Sequence, residues 1–575
     1  MNKENYLWTA TKTGLLGGAI GIFLCLIGMV EIFDKRDVIE AILPLGDFLI
    51  LATAVAVGIV ASRQNSNLSG GAQTSSSLTA GAVAGLVTGI LLALLALIGP
   101  AINLRAVFLN ASPALFELLT FGLGTTGAIL LALGCGLAGL GGSAFLRLSE
   151  NTRRPLTQGL GAIVFMALFA GIFRVAMINL GGLLSFIAKS LFSQSGLTIV
   201  GAIFFFAVVT GFNVFWTRKG QGYKDRFNAL PKKNQSNLRL TALIVLAVAA
   251  LGLPQISGPF IAQVIVIISL YILMGLGLNI TLGFAGLLDL GFVAFYAVGA
   301  YTVGLLTSYG PFGLQHIPFW VAVPIAVLVA MMFGAFLGLP VLGVRGDYLA
   351  IATMGFGEII RLFAGSDFLS PFFGGPQGVI GIQKPCIGTL EAFLTVDTPR
   401  ICNGIELGRP QDIYYLAVVA ALLIAFVATR LRESRLGRAW MAIREDEDVA
   451  EALGVNLVQT KLLAYMLGAA FAGLGGAIFT VLIGSIFATS MQLIVSINVV
   501  ALIIVGGMGS IPGVIVGAIA LIGLPELLRE VSEYRYLIYG VVLIIMMQLR
   551  PEGLWPSQAA KRELHHSDNL TVKVE

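Results

Sequence analysis

Unbroken apolar runs of about 20 residues recur from one end of this chain to the other, separated by short polar stretches. At 1.5 Å rise per residue, each run is long enough to cross the hydrocarbon core of a bilayer as a helix. Inside that core every backbone N–H and C=O has to be paired within the protein, which leaves helices or a closed barrel. Barrel strands are segments of about ten residues with alternating hydrophobicity. Here the apolar residues run on without alternation. The expected fold is therefore all-α, a polytopic integral membrane helix bundle. Composition agrees: 57% of residues are hydrophobic and 11% charged, where soluble domains carry about 25% charge. Glycine, 71 of 575 residues, suits helices that approach one another closely.

About sixteen transmembrane segments are expected. They are 14–33, 42–61, 78–99, 118–145, 158–180, 197–216, 240–256, 261–283, 287–307, 317–341, 348–364, 413–429, 461–483, 492–505, 513–528 and 535–549. The shorter ones suit tilted or re-entrant pieces. The first run follows Lys3 and Lys12, exceeds a signal-peptide core and lacks a small-residue cleavage site, so a retained helix is expected.

The net charge of +5 gathers in loops, a distribution that argues for membrane orientation rather than nucleic acid. Arg147, Arg153 and Arg154 form one cluster, the 217–239 stretch a second, and the 430–461 stretch a third. Counting crossings from a cytoplasmic N-terminus puts all three inside, with the C-terminus, and the acidic loop at Glu31, Asp34, Asp37 and Glu40 outside. The chain then divides into an N-terminal membrane module of about six helices (1–216), a basic cytoplasmic linker (217–239), a second membrane domain (240–556) and a cytoplasmic polar tail (557–575). GxxxG spacings, among them Gly81/Gly85, Gly85/Gly89, Gly334/Gly338 and Gly513/Gly517, mark candidate helix crossings.

The most informative polar stretch is the charged island 430–461. Within it, Glu445, Asp446, Glu447 and Asp448 precede Val-Ala-Glu-Ala-Leu-Gly. Acids favour a helix start, and Gly454 is placed to end the helix in a left-handed cap. Val449 and Leu453, four apart, share a face. This predicts a short amphipathic surface helix over about 445–454, too short to stand alone and therefore docked on something.

Four stretches resemble the permease subunits of branched-chain amino acid ABC importers of the LivM type. They are NITLGFAGLLDLGFVAFYAVGAYTVGLL (279–306), GVRGDYLAIATMGFGEIIRL (343–362), SRLGRAWMAIREDEDVAEALGVN (434–456) and VGGMGSIPGVIVGA (505–518), and the resemblance covers about 240–556. It implies an ABC importer permease-like core in a bacterial inner membrane, with branched-chain or other neutral amino acids as cargo. It also implies ABC ATPase subunits, a second permease subunit of LivH type and an extracytoplasmic solute-binding protein as partners, beside membrane lipid. In such permeases an EAA-x3-G loop enters a groove on the ATPase. Glu451, Ala452, Leu453 and Gly454 resemble a diverged form of it, with one residue rather than four between Glu-Ala and Gly. Coupling to the ATPase thus falls to Arg438, Arg444, Glu445, Asp446, Glu451, Ala452, Leu453 and Gly454. Urea and related small-solute permeases share the architecture, and an ion-coupled secondary transporter is the alternative of another class.

Substrate-pathway candidates are Asp289, Asn279 and Gly507. A charge at mid-bilayer costs about 2.5–3.5 kcal/mol, so Asp289 lines a pathway, pairs, or stands near an interface, and the crossing count favours the interface. Glycines 506, 507, 509 and 513 break an apolar stretch, either lining a pathway or forming a plain turn. Glu358 and Arg361 are spaced to pair, Arg174 has no evident local partner, and Arg345 with Asp347 flanks a tight loop. Cys386 and Cys402 lie in the polar loop 366–411, where a bridge contributing about 3 kcal/mol competes with two free thiols. Neither GxxxxGK[ST] nor GxSxG occurs, and His316, His565 and His566 show no metal spacing. No catalytic residues, metal or cofactor are therefore expected, and ATP hydrolysis belongs to a separate subunit.

Overall fold

A computed structural model describes residues 3–68, 75–102, 104–179, 182–229, 232–313, 317–341, 347–388, 404–527 and 552–556, with isolated positions between 540 and 548. Ten described helices are long and apolar enough to cross a membrane, and Val293–Thr307 and Ile511–Glu526 are shorter apolar helices. The expected sixteen are therefore not reached among the described residues, and most of the last expected span, 535–549, lies outside them. The chain separates into two compact units, Met1–Leu246 and Ala247–Glu575. The basic stretch expected as a linker is helical where described, shared between Ile199–Ala229 and Lys232–Leu278. The latter is two helices meeting at Gly258, whose φ of 85° and ψ of 177° lie outside helical space, flanked by Pro254 and Pro259.

In the first unit, Lys3–Leu26, Leu45–Leu68, Ser75–Ile98 and Thr125–Phe145 pack together. Their contact lines are glycines. A Cβ on Gly139 would stand 2.4 Å from the Gly81 carbonyl oxygen and 2.9 Å from Gly85 Cα. One on Gly14 would meet Ala84 O at 2.6 Å. The Gly81/Gly85 and Gly85/Gly89 spacings thus fall on a crossing where backbones touch, while Gly17 and Gly21 meet side chains. A second cluster joins Val38, Ala167, Ala170, Leu191, Phe192 and Leu197 around a small ribbon, Asp37–Ile39 with Leu43–Pro44.

In the second unit the axis is Leu457–Ile483, on which Val293–Thr307 and Phe319–Val341 pack. Here too glycine permits the approach: a Cβ on Gly299 would lie 2.2 Å from Gly473 O. One end of the unit is closed by Val379–Ile380 pairing antiparallel with Ser485–Ile486, and by Ser308 bridging Ile382. At the other end two membrane helices break. The first opens into a wide π-type turn, Asn279–Phe284, followed by irregular chain to Gly291. The second is interrupted at 507–510 between Leu493–Gly506 and Ile511–Ala518.

Candidate functional site

The charged island folds as two short helices, Arg435–Glu445 and Glu447–Ala452, the second lying within the 445–454 stretch where a short helix is expected. Asp446 makes the break. Its backbone is extended (φ −158°, ψ 115°) and its Oδ1 accepts from the backbone N–H of Asp448 and Val449, both at 3.0 Å. An Asp in this capping geometry starts a helix in preference to continuing one. The second helix ends where Gly454 takes φ 87°. The Gly454 N–H donates to Glu451 O and the Val455 N–H to Ala450 O, the paired bonds of a Schellman cap.

What holds this pair in place is the opposite face. Gly437, Trp440 and Ile443 recur at helical spacing and are buried. The Trp440 indole Nε1–H donates to Thr460 O at 2.8 Å. Truncating a buried tryptophan typically costs about 3–5 kcal/mol, so this one residue is a main anchor of the element. Lys461, at the start of the central helix, donates to Glu447 Oε1 at 2.6 Å; its side chain is 6% exposed against 25% for Glu447. Ser434 caps the first helix through the Gly437 N–H, and Asn456 caps the central helix through the Gln459 N–H.

The pair also reaches both helix breaks. Arg444 Nη1 donates to Gly283 O at 2.7 Å. A Cβ on Gly286, which holds φ +75°, would meet Arg444 Cγ at 3.1 Å, and one on Gly509 would lie 3.6 Å from Arg444 Nη1. The two breaks are tied to each other as well, since the Gly509 N–H donates to Asn279 Oδ1 at 2.9 Å. Three segments distant in sequence therefore meet at one node: the turn at 279–286, the turn at 507–510 and the end of the helix carrying Arg444. Carbonyls and N–H groups freed by a broken helix have to find partners in a membrane; here Asn279 of the first break takes up the Gly509 N–H of the second, and Arg444 takes up the Gly283 carbonyl of the first.

Away from this anchored face the element is open. Glu445, Asp446, Glu451, Ala452, Leu453 and Gly454 are exposed, Leu453 at 78% and Val449 at 54%. Two exposed aliphatic side chains among acids form a face that nothing among the described residues covers. Arg438 is also exposed and donates to Glu433 O at 3.1 Å.

The pathway candidates separate. Asn279 (1% exposed) is structural through Gly509, though its Nδ2 has no partner among the described residues. Gly507 (φ 120°) lies in a turn where a Cβ would stand 2.9 Å from Trp555 O, so the turn alternative describes it. Asp289 (1% exposed) sits at the end of the first break, where Oδ1 accepts from the Gly291 N–H at 2.8 Å. Glu358 and Arg361 pair within one helix, Nε 3.0 Å from both carboxylate oxygens. Arg174 Nε is buried without a partner among the described residues. Asp347 begins a helix, and Arg345 lies outside the described residues. Cys386 is disulfide-bonded, Cys25 and Cys135 are free, and Cys402 lies outside the described residues. Among the described residues no cluster of three metal-ligating side chains occurs.

Sequence reasoning missed Trp440, the Glu447–Lys461 pair and the meeting of the two breaks. The i, i+3, i+6 recurrence of Gly437, Trp440 and Ile443 inside a charged stretch was a signal for the first. The other two join residues 14 and 230 apart, which local pattern does not reveal.

A family model described as the branched-chain amino acid transport system / permease component matches residues 260–547. The chain belongs to that family. A relative named high-affinity branched-chain amino acid transport system permease protein LivM, from Escherichia coli (strain K12), is 41% identical over 330 residues, covering 56% of this chain and 75% of the relative. A probable LivM of Methanocaldococcus jannaschii is 21% identical over 342 residues, 52% of this chain and 94% of that protein. LivH of Escherichia coli (strain K12), a second permease of the same transport system by name, is 26% identical over 183 residues, 29% and 58% of the two chains. No solved structure matches the chain. All three segments of the node, and the whole open face, fall inside the stretch that the family model matches.

Proposed function

We propose that this chain is the membrane-spanning permease subunit of an ATP-driven importer of branched-chain amino acids, and that the helix pair 435–452 is the handle on which its ATPase acts. The observation that carries the second part is the two-sided character of that pair. One face is fixed to the bundle by Trp440, Lys461 and Arg444, while Val449 and Leu453 stand exposed on the other. A rigid element with an open apolar patch transmits a partner's displacement, and Arg444 delivers it to both helix breaks. The handle faces the cytoplasm in this reading, as do both termini. A LivH-like second permease and an extracytoplasmic binding protein complete the assembly, and no catalytic step belongs to this subunit.

The test is purification of the assembly from cells, followed by reconstitution. The ATPase is expected to co-purify with the unaltered chain and to be lost on Leu453→Glu combined with Glu451→Lys. Reconstituted vesicles should then take up leucine, isoleucine or valine, and not urea, only with ATP and binding protein. ATPase retention by the double variant sinks the handle; uptake without ATP sinks the importer.

A further inference from the structure

Asp347–Ala364 runs along the second unit from its broken end toward its closed end. Beside the first break, the Leu290 N–H donates to Thr353 Oγ1 at 3.1 Å. Twelve residues on, a Cβ on Gly365 would lie 3.3 Å from Ala488 Cβ, two residues beyond the strand Ser485–Ile486 that closes the other end. Glu358 and Arg361 follow Thr353 by five and eight residues, which places them about 7.5 and 12 Å along an interval of about 18 Å. The pair therefore stands between the two ends of a bundle whose long apolar helices cross the membrane. It is not buried there. The Glu358 side chain is 41% exposed and that of Arg361 26%. Ile351, Ile359 and Leu362 on the same helix are 62%, 46% and 56% exposed. Ile351, Gly355, Glu358 and Leu362 recur at helical spacing, and a Cβ on Gly355 would meet nothing within 4 Å. The carboxylate thus belongs to a helix face left open among the described residues.

We propose that this face lines the translocation pathway, with the second permease subunit as the opposite wall, and that Glu358 and Arg361 are its station for a zwitterionic amino acid. Arg361 takes the carboxylate of the cargo and Glu358 its ammonium. The proposal rests on the importer reading and names a contact for the cargo within it. Three observations select this role and this ligand. First, ionisable side chains at membrane depth face a bundle interior or a water-filled cavity, because exposure to hydrocarbon is costly. An acid and a base on an open face between the two ends therefore face a wet path that a partner subunit completes. Second, Arg361 Nε donates to both Glu358 carboxylate oxygens at 3.0 Å, so the pair is neutral as it stands. A lone cation or anion entering here would strand one member, whereas a zwitterion exchanges one charge-assisted pair for two and leaves no charge unmatched. Third, Ile351, Ile359 and Leu362 give the aliphatic part of the cargo an apolar surface beside the charges.

The experiment reconstitutes the intact assembly in vesicles and follows leucine uptake, beside melting temperature and ATPase co-purification. Glu358→Gln combined with Arg361→Met removes both charges, so a pair that only cancels itself would have nothing left to cancel and would lose no function. The station requires instead that the double variant keep its melting temperature and its ATPase while uptake falls at least about tenfold, the factor that one charge-assisted hydrogen bond supplies. Leu362→Cys, one turn on from Glu358, should react with a membrane-impermeant thiol reagent above the wild-type background, and more slowly while leucine is being taken up. Uptake by the double variant equal to wild type, or a Leu362→Cys thiol inert both at rest and during ATP turnover, would each overturn the proposal. Uptake by the unaltered assembly without ATP would overturn the importer reading instead, since the station is judged on the ratio of the two proteins.

Discussion

The guanidinium of Arg444 and the carbonyl of Gly283 lie 2.7 Å apart, and this one bond joins a surface helix to the interrupted end of a membrane helix. The carbonyl belongs to a π-type turn, so no regular helical partner waits to take the place of Arg444. A charge-assisted bond of this kind contributes about 1.5–3 kcal/mol. Arg444→Ala should therefore lower ATP-driven uptake by ten- to a hundredfold, using the usual conversion of about 1.4 kcal/mol per decade. Arg444→Lys should recover only part of it. The ATPase should still co-purify with Arg444→Ala, because the exposed face is untouched. Uptake unchanged in Arg444→Ala removes the node from the transmission path.

Glu447 and Lys461 are unequally buried, and that sets an asymmetric prediction. Lys461 is nearly sealed, while the Glu447 side chain is the more exposed of the two although its Oε2 is buried. Glu447→Gln strands the buried ammonium and should destabilise the fold by about 3 kcal/mol. Lys461→Met leaves its charge on the less buried of the two side chains, and should be milder. The double variant should regain much of the loss. Thermal unfolding of the four proteins, read as a double-mutant cycle, checks the order. A larger loss for Lys461→Met than for Glu447→Gln contradicts it.

How far the sequence anticipated this architecture differs by element. The membrane helices were legible because a bilayer demands length and apolarity, both properties of composition over about 20 residues. The cap at Gly454 was legible because glycine after an amphipathic turn carries a local geometric meaning. The break at Asp446 was not, since an acid at a helix start and an acid ending the previous helix leave the same pattern. The node of Asn279, Gly509 and Arg444 was hidden for a different reason. Each member was singled out or stood in a stretch that was, but only tertiary packing brings residues 230 positions apart to 2.9 Å. The N-terminal unit gave weaker signals still: its GxxxG spacings are no more than expected in a glycine-rich chain, yet Gly81, Gly85 and Gly89 fall on a backbone crossing.

Lys384 offers a pH test at the end of the second unit away from the node. It donates to the Val481 and Leu482 carbonyls at the close of the central helix. Burial lowers the affinity of its amine for the proton, and Glu406 pulls it partly back. In the window between that lowered value and the ordinary lysine value of about 10.4, the unfolded chain binds more protons than the native one. Stability should therefore rise with pH across that window through this residue, and gain nothing from it below. Lys384→Met should remove that contribution, and Glu406→Gln should shift its onset to lower pH. Melting curves of the three proteins through the alkaline range measure it. A wild-type curve indistinguishable in slope from Lys384→Met would show that the amine titrates normally.

Gly139 and Gly141 stand two residues apart on Thr125–Phe145, one against a neighbouring backbone and one in open space. A methyl at Gly139 would come within 2.4 Å of Gly81 O and 2.9 Å of Gly85 Cα, and backbone cannot rotate aside as a side chain can. Gly139→Ala should push the two helices apart and destabilise the first unit by about 1–3 kcal/mol. At Gly141 the same methyl meets nothing within 4 Å, and alanine favours the helix by up to about 1 kcal/mol. Gly141→Ala should thus be neutral or stabilising. Melting temperature of the intact chain separates the two. If both substitutions behave alike, the glycine seam is not what holds these helices together.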